Sequence, residues 1–369
     1  MESFSCALCA SLWLLKIERH KKAHKAQNDG WLSRAFLRLF VANKKMLAGQ
    51  ITGPGQLNFI DLPRPQIAER QLLVKLEIAS LCGSDIPYFL HDTSHPSVAG
   101  QSLPLRPGLS LHELIGTVYE SKSKRFKEGD RVLALPFHYL QGMSEYFLSA
   151  DSLAVPLPSG NAEQLVLSQP LGTVVHACRK LPNLLGKTAV VLGQGPIGQL
   201  FCALLRHLGA VRVITVDSLA ERLRISSRMG ATDVFGENSA ELKAAVRDLT
   251  NGAGADLVVE AIGKEETLNL ASDLIRRHGT VILFGLPNRF TFNIAIHEFF
   301  YKEAHLIGCV GPDVQDDFPI AVELIATGAI DVKPLITHKF PFLKAQDAFT
   351  LLSRRSDGAM KVILETNGQ

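Results

Sequence analysis

Two kinds of hydrophobic pattern divide this chain. Between residue 46 and about residue 157, apolar positions come in short runs at 57–62, 71–79, 114–119, 131–135 and 145–148, each bounded by Gly, Pro or Asp. Runs of that length between turn formers predict strands, and no helix-length pattern occurs before about residue 162. From residue 172 to 305 the pattern changes. Compact apolar runs at 189–192, 211–216, 257–260, 280–284 and 306–309 alternate with stretches of helical period. Such alternation predicts parallel strands joined by right-handed helical crossovers. Residues 310–369 return to mixed character: a helix near 319–326, a strand at 336–340, a helix near 343–353 and a closing strand at 361–364. The expected fold class is α/β, a doubly wound parallel sheet accompanied by a β-rich unit.

The most specific stretch lies at the start of the alternating region. The strand at 189–192 runs into Gly193-Gln194-Gly195-Pro196-Ile197-Gly198, followed by a predicted helix over 199–208 and a second strand that ends at Asp217, 19 residues after Gly198. Gly193 suits the tight turn, Gly195 the approach of a pyrophosphate, and Gly198 the packing of helix on strand. The helix N-terminus, opening at Pro196 and Ile197, supplies unpaired N–H groups to phosphate. Asp217 stands where an acid accepts the ribose hydroxyls. This combination predicts dinucleotide binding. Ser218 and Leu219 follow Asp217 with no adjacent Arg to hold a 2′-phosphate, so NAD is favoured over NADP. Arg222, a helical turn further on, is placed either beside the adenosine or in a surface ion pair.

Composition narrows the class. A chain of 369 residues is most simply two domains, and 46% hydrophobic with 20% charged residues is an ordinary globular balance. The net charge of +3 resides in residues 1–45, which hold nine Lys or Arg against Glu2, Glu18 and Asp29; the remainder has 39 − 9 = 30 basic and 36 − 3 = 33 acidic residues. A slightly acidic body predicts no nucleic-acid partner. Residues 1–45 also carry both tryptophans, Trp13 and Trp31, and their apolar stretch at 4–15 precedes the basic cluster, the wrong order for a secretory signal. The segment 31–41 has the pattern of a short basic amphipathic helix, which suits a membrane surface or transit role; the alternative is an extension ahead of a natural beginning at Met46. Cys6 and Cys9 form a CxxC with no second pair to complete a zinc site. Cys82, Cys178, Cys202 and Cys309 are unpatterned, which points to a reducing, cytoplasmic setting. No apolar run approaches the ~20 residues of a membrane span.

Two clusters in the β-rich unit carry further chemistry. The first is Cys82-Gly83-Ser84-Asp85, followed by Pro87 and Tyr88. The second is His112-Glu113-Leu114-Ile115-Gly116. Cys, His and Glu are zinc-ligand types, but the clusters lie about thirty residues apart and must meet through folding. Spacing alone leaves open a core cysteine and a surface His-Glu pair.

A β-rich unit with CGSD and a downstream HExxG, then the glycine-turn unit, then a returning segment, resembles the medium-chain dehydrogenase/reductase superfamily, and within it the zinc-dependent alcohol, sorbitol and threonine dehydrogenases. The resemblance spans about residues 46–365. It implies a GroES-like catalytic domain over 46–171, to which 311–369 return, and an NAD-binding Rossmann domain over 172–310, with 1–45 as an atypical extension. It implies one catalytic zinc held by Cys82, His112 and Glu113, with Gln169 as a weak oxygen ligand, and Ser84 as the hydroxyl that meets the substrate oxygen. Asp85 would orient His112 from behind. On the cofactor side it implies Thr173, Ile262, Gly263, Gly285 and Leu286 along the nicotinamide; Lys361 reads either as reaching the pyrophosphate or as a solvated lysine. The implied reaction moves a hydride between a secondary alcohol or polyol and NAD, with a small alcohol or ketone as partner and a homodimer or homotetramer as the assembly.

Departures from the family pattern sharpen these expectations. Gln169-Pro170 stands where relatives carry Glu-Pro, Pro87 replaces a relay histidine, and Leu111 replaces the glycine before His112. The region 135–146 contains no cysteine, so no structural zinc is expected. His91 and His95 read as exposed loop histidines. Tyr88, Phe89, Phe137, Met143, Phe292 and Phe299 are the candidate lining of an apolar substrate pocket. Two other readings stand beside the leading one: a zinc-free reductase of the quinone-reductase type, and a dinucleotide-binding protein without catalysis.

Overall fold

The computed structural model describes residues 40–138, 141–237 and 239–366. Among the described residues, 46–62 and 67–366 form one compact unit. In chain order the elements are β1 (Phe40–Gly53), β2 (Gln56–Pro65), β3 (Gln71–Ser80), a 3-10 turn (Gly83–Asp85), α1 (Ile86–Phe89), β4 (Glu113–Ser121), β5 (Arg131–Ala134), β6 (Tyr146–Ala150) and β7 (Ala154–Pro156). Next come α2 (Ala162–Leu165), α3 (Ser168–Cys178), β8 (Thr188–Leu192), α4 (Pro196–His207), β9 (Arg212–Val216), α5 (Ala220–Ser226), β10 (Asp233–Phe235), α6 (Ser239–Leu249), β11 (Ala255–Glu260) and α7 (Glu265–Leu274). The chain closes with β12 (Ile275–Leu283), α8 (Ile296–Tyr301), β13 (His305–Gly308), α9 (Asp317–Ala326), β14 (Ile336–Pro341), α10 (Ala345–Arg354) and β15 (Lys361–Glu365).

The alternating region folds into a six-stranded parallel sheet in the order β10-β9-β8-β11-β12-β13. Its central strands are covered on both faces, as parallel sheets require; Ala189, Val190, Val191 and Leu192 of β8 are all fully buried. Numbered within this sheet the order is 3-2-1-4-5-6, the doubly wound arrangement that opens a crevice at the carboxyl ends of its first and fourth strands. The β-rich region forms a seven-stranded sheet, β14-β15-β3-β4-β5-β7, with β6 paired to β3. The last strands thus return to the sheet built by the first third of the chain. β1 and β2 make a separate two-stranded sheet.

Several element boundaries differ from the sequence expectation for physical reasons. Helix α4 opens at Pro196, three residues earlier than predicted, because proline at the first helical position loses no hydrogen bond and is already set at the helical φ. Strand β12 starts at Ile275 rather than 280, since its first turn outward, Arg276-Arg277-His278, is polar and partly exposed. The short strands β7 and β10 and helix α1 are too brief to give an apolar pattern. The apolar pattern at 31–41 lies outside the described residues up to 39, while Phe40 and Val41 open β1.

The largest hydrophobic core runs from Ile78, Ile115 and Leu133 of the β-rich sheet through α3 and α9 to Val191, Leu257 and Ile282 of the parallel sheet. Helices α3 and α9 cross closely: a Cβ added at Gly172 would stand 2.3 Å from the Phe318 ring. The buried Asp317 carboxylate ties the same pair, meeting His176 Nδ1 at 2.8 Å and accepting from Arg179 Nη1 at 2.6 Å.

Candidate active site

The strand register explains how clusters thirty residues apart meet. Strands β3 and β4 are antiparallel with Ser80 opposite Glu113. Cys82, just past the end of β3, therefore faces His112 and Glu113 at the start of β4. The ligand-type atoms of Cys82, His112 and Glu113 lie within 4.8 Å of one another, His112 and Glu113 buried and Cys82 partly so. Burial lowers the affinity of His112 for a proton, but the hydrogen bond to Cys82 and the charges of Cys82, Asp85 and Glu113 outweigh it, and its pKa rises to about 9.

Asp85 organises this corner through the backbone. Its Oδ2 accepts from Cys82 N–H at 2.9 Å and its Oδ1 from Leu111 N–H at 3.1 Å, so one buried carboxylate fixes the residues on both sides of the cluster. Oδ1 also stands 3.9 Å from His112 Nδ1, too far for a hydrogen bond but close enough to act through charge. Leu111 has φ +68° and is fully buried. A left-handed conformation disfavours a side chain, so the leucine in place of glycine trades backbone strain for apolar packing.

Lys361 corrects a sequence expectation. It does not point to a pyrophosphate. Strand β15 pairs with β3, Ile363 opposite Ser80, and this places Lys361 beneath the cluster at 1% exposure. Its Nζ donates to Glu113 Oε1 at 2.5 Å and Oε2 at 2.6 Å, and to Leu81 O at 3.3 Å. A charged lysine buried to this degree requires such a partner. The only signal for it in the sequence is one basic residue at the head of an apolar closing strand.

The donor set fits a divalent metal. A thiolate, an imidazole and a carboxylate are ligands for zinc, and their donor atoms all lie within 4.8 Å of one another. The Ser84 hydroxyl beside Cys82 is enclosed and has no hydrogen-bond partner within the described protein. Gln169, in the first turn of α3, is 4% exposed. Thr173 is partly buried and its hydroxyl donates to Pro170 O at 2.7 Å.

The glycine turn is built around Asp217. Its Oδ2 accepts from Gln194 N–H at 2.7 Å and its Oδ1 from Leu219 N–H at 2.9 Å, and Arg222 Nη1 stands 3.5 Å from Oδ2. Gly193 has φ +92°, the left-handed turn only glycine adopts without strain. A Cβ at Gly198 would come to 1.8 Å from Gly193 O, whereas one at Gly195 would meet nothing closer than Arg222 Nη1 at 3.8 Å. Gly198 is thus demanded by the fold itself, and Gly195 leaves open space in front of the helix. Pro196 and Ile197 form the first turn of α4. Across the crevice Ile262-Gly263 and Gly285-Leu286 approach each other tightly, a Cβ at Gly285 reaching 2.0 Å from Gly263 N. Glu260, the last residue of β11, holds this loop by accepting from Ile262 N, Gly263 N and Thr267 Oγ1 at 2.7–2.9 Å.

Other assignments change. Phe89, Tyr88 and Met143 are buried in the core of the β-rich sheet and Phe299 in that of the parallel sheet, with Phe292 partly buried against the latter. Only Phe137 is openly exposed. His95 is buried to 9% exposure rather than exposed. Burial raises the thiol pKa of Cys178 and pushes that of Cys202 up to about 12, the behaviour of inert core cysteines.

A doubly wound dinucleotide-type sheet, joined to a β-rich unit that carries a buried Cys/His/Glu cluster, defines a two-part dehydrogenase. Residues 68–174 match the alcohol dehydrogenase GroES-like domain family, and residues 196–327 match the zinc-binding dehydrogenase family. Sorbitol dehydrogenase 1 of Saccharomyces cerevisiae is 31% identical over 347 residues, covering 84% of this chain and 95% of the yeast protein. The D-arabitol-phosphate dehydrogenase of Enterococcus avium is 28% identical, covering 88% of this chain and 97% of its own. Among solved structures, an oxidoreductase of unknown specificity from Escherichia coli superposes with a TM-score of 0.78 at 25% identity over 87% of this chain and 99% of its own. An alcohol dehydrogenase from Thermotoga maritima gives 0.76 at 24% identity, covering 88% and 100%. The chain belongs to the zinc-dependent medium-chain dehydrogenase/reductase superfamily. It is an oxidoreductase acting on CH–OH groups, with a Rossmann sheet and a GroES-like catalytic sheet.

Proposed function

We propose that the protein oxidises a polyol or related secondary alcohol with NAD, at one zinc ion held by Cys82, His112 and Glu113 with Gln169 as a weaker neighbour. The observation that carries this reading is the buried Cys82–His112–Glu113 cluster beside the unpartnered Ser84 hydroxyl. When bound, zinc supplies Lewis-acid polarisation of the substrate oxygen. The protein's own residues do the rest. Ser84 hydrogen-bonds the substrate hydroxyl and receives its proton. Asp85 holds the backbone beside both metal-ligand segments. Gly193 to Gly198 and the α4 N-terminus carry the pyrophosphate, while Thr173, the 262–263 loop and the 285–286 loop flank the nicotinamide.

Asp217 supports NAD over NADP, because a carboxylate repels a 2′-phosphate and Arg222 is already placed against it. The polyol class is supported by the relatives named for sorbitol and arabitol phosphate. The edge strand β13, with His305, Leu306 and Gly308 exposed and Val310 at 90% exposure, supports a homodimer that extends the parallel sheet. No helix among the described residues is long and apolar enough to cross a membrane, and the cytoplasm is the proposed site.

The reading is tested by kinetics with a panel of polyols, polyol phosphates and simple secondary alcohols, each with NAD and with NADP. NAD-dependent oxidation of at least one panel member, with NADP at least tenfold less efficient, is expected. Absence of turnover with every substrate and both cofactors contradicts it. A zinc-free reductase predicts instead an unchanged rate in the Cys82→Ser variant.

A further inference from the structure

The glycine turn rests on polar side chains that solvent does not reach. Gln194, the residue between Gly193 and Gly195, is fully buried, and so are Gln199 of α4 and Ser226 of α5. A buried amide or hydroxyl costs stability unless it is hydrogen-bonded, so the partners of these three side chains show what they are held to.

Gln194 Nε2 donates to Gly193 O at 3.1 Å and Val191 O at 3.3 Å, which fastens the turn to the end of β8. Its Oε1 accepts from Ser226 Oγ at 3.0 Å and from the Cys202 thiol at 3.4 Å. Gln199 Nε2 faces Arg222 O at 2.9 Å, Ser226 Oγ at 3.1 Å and Gln194 O at 3.3 Å. Two of these are backbone carbonyls, which only accept, so the amide nitrogen must lie on this side. Gln199 Oε1 is then buried with no partner among the described residues. An unmet acceptor is a cost to the fold, and what the side chain supplies against it is a grip on the first turn of α5.

These contacts close a ring around Arg222. Ser226 Oγ also lies 3.1 Å from Arg222 O, four residues back on the same side of α5. At the other end of that residue, the guanidinium Nη1 stands 3.5 Å from Asp217 Oδ2, the same oxygen that accepts from Gln194 N–H at 2.7 Å. Arg222 is thus held by its carbonyl from beneath and by its charge from in front. The same Nη1 would lie 3.8 Å from a Cβ placed at Gly195, so the guanidinium borders the proposed pyrophosphate space while it is directed at Asp217.

We propose that Gln194, Gln199 and Ser226 are positioning residues for cofactor choice: by fixing the carbonyl of Arg222 they keep its guanidinium on Asp217 and away from a 2′-phosphate. The inference rests on the proposed binding of NAD at this turn. With Arg222 held, a nucleotide that carries a 2′-phosphate meets the Asp217 carboxylate and no free cation. With an anchor removed, the first turn of α5 can shift, and the guanidinium becomes available to pair with the phosphate. The three anchors therefore act on discrimination between the two nucleotides, not on the affinity that both share.

The test uses the full-length protein and fluorescence titrations with NADH and with NADPH, so that no turnover is needed. Gln199→Met and Ser226→Ala are each made in the wild type and in Arg222→Ala. In the wild-type background each is expected to weaken NADH binding by roughly threefold to fivefold, the scale of one lost hydrogen bond. NADPH binds as well as before or better, so the ratio of the two affinities falls. In the Arg222→Ala background neither substitution moves that ratio, because both act through the arginine. Equal weakening of the two nucleotides overturns the proposal, since general damage to the turn gives that result. So does the same change of ratio with and without Arg222, and so do unchanged affinities in both variants. Should Gln199→Met fail to fold, Ser226→Ala, which removes a single oxygen atom, decides alone. A wild-type protein that binds NADH and NADPH equally overturns the NAD reading itself, and is recognised before any variant is made.

Discussion

The ammonium of Lys361 lies 2.5 Å and 2.6 Å from the two carboxylate oxygens of Glu113, both side chains sealed from solvent. Lys361 opens the last strand of the chain and Glu113 opens β4, so the contact bridges the two strands that flank β3 in the β-rich sheet, next to Cys82 and His112. A buried pair of this kind is costly to break from one side, because the remaining charge has no solvent to turn to.

Lys361→Met is accordingly expected to destabilise the metal-free protein by about 3–5 kcal/mol. The double variant Lys361→Met with Glu113→Gln should recover much of that loss, since no buried charge is then left alone. Urea unfolding of the two variants in the presence of chelator checks this. Equal losses in the single and double variants would show that the lysine acts through packing alone.

Leu111 offers a comparison between strain and burial. Its φ of +68° favours glycine, while its side chain is fully buried. Both Leu111→Ala and Leu111→Gly should destabilise by roughly 2–5 kcal/mol through lost apolar packing. At an ordinary helical or extended position the alanine variant would be the more stable of the two. Here the glycine variant should be, by about 1 kcal/mol. Thermal unfolding of both variants decides the order.

These two residues show where the sequence stopped being legible. The alternation of strands and helices, the glycine turn with Asp217 and the two metal-type clusters are local patterns, and local patterns survive in one dimension. The Lys361–Glu113 pair spans 248 residues and depends on the register of β15 against β3, which no spacing announces. The buried apolar candidates differ for a related reason. Phe89, Met143 and Phe299 have the composition of a pocket lining, but whether an apolar side chain faces a cleft or a core depends on which face of its element is covered. His95 follows the same rule: it is a loop residue that the fold buries.

The two glycines of the nucleotide turn should separate folding from binding. Gly198→Ala meets the Gly193 carbonyl at 1.8 Å and should lower stability by several kcal/mol (on the order of 1–3 from overpacking alone). Gly195→Ala has room within the protein and should unfold within about 0.5 kcal/mol of wild type, yet lose at least tenfold in NADH affinity because its methyl group enters the proposed pyrophosphate space. Unfolding midpoints set against fluorescence titration of NADH distinguish the two outcomes.

Acid should loosen the parallel sheet at its amino end. The Asp256 carboxyl is partly buried, which raises its pKa, but the Thr188 N–H, Arg276 and Lys187 pull it the other way and hold it below the usual carboxylate value of 3.8. A depressed pKa means that the folded state prefers the carboxylate. Its contribution is therefore complete above the unfolded value and is lost as pH falls through the lower folded value. Asp256→Asn should destabilise by about 1 kcal/mol at neutral pH, and this deficit should shrink toward zero as the pH falls below 3.8. A pH series of urea midpoints for both proteins measures it.

The central claim is that the Cys82–His112–Glu113 cluster holds the metal that makes this protein an NAD-linked alcohol dehydrogenase. The most direct measurement is NADH formation from the best polyol substrate before chelation, after chelation and after zinc is restored, for wild type and Cys82→Ser. The predicted result is one zinc per chain in the active wild type, loss of activity on chelation, recovery with zinc, and no recovery in Cys82→Ser. Full activity in thoroughly chelated protein, or an undiminished rate in Cys82→Ser, would contradict it.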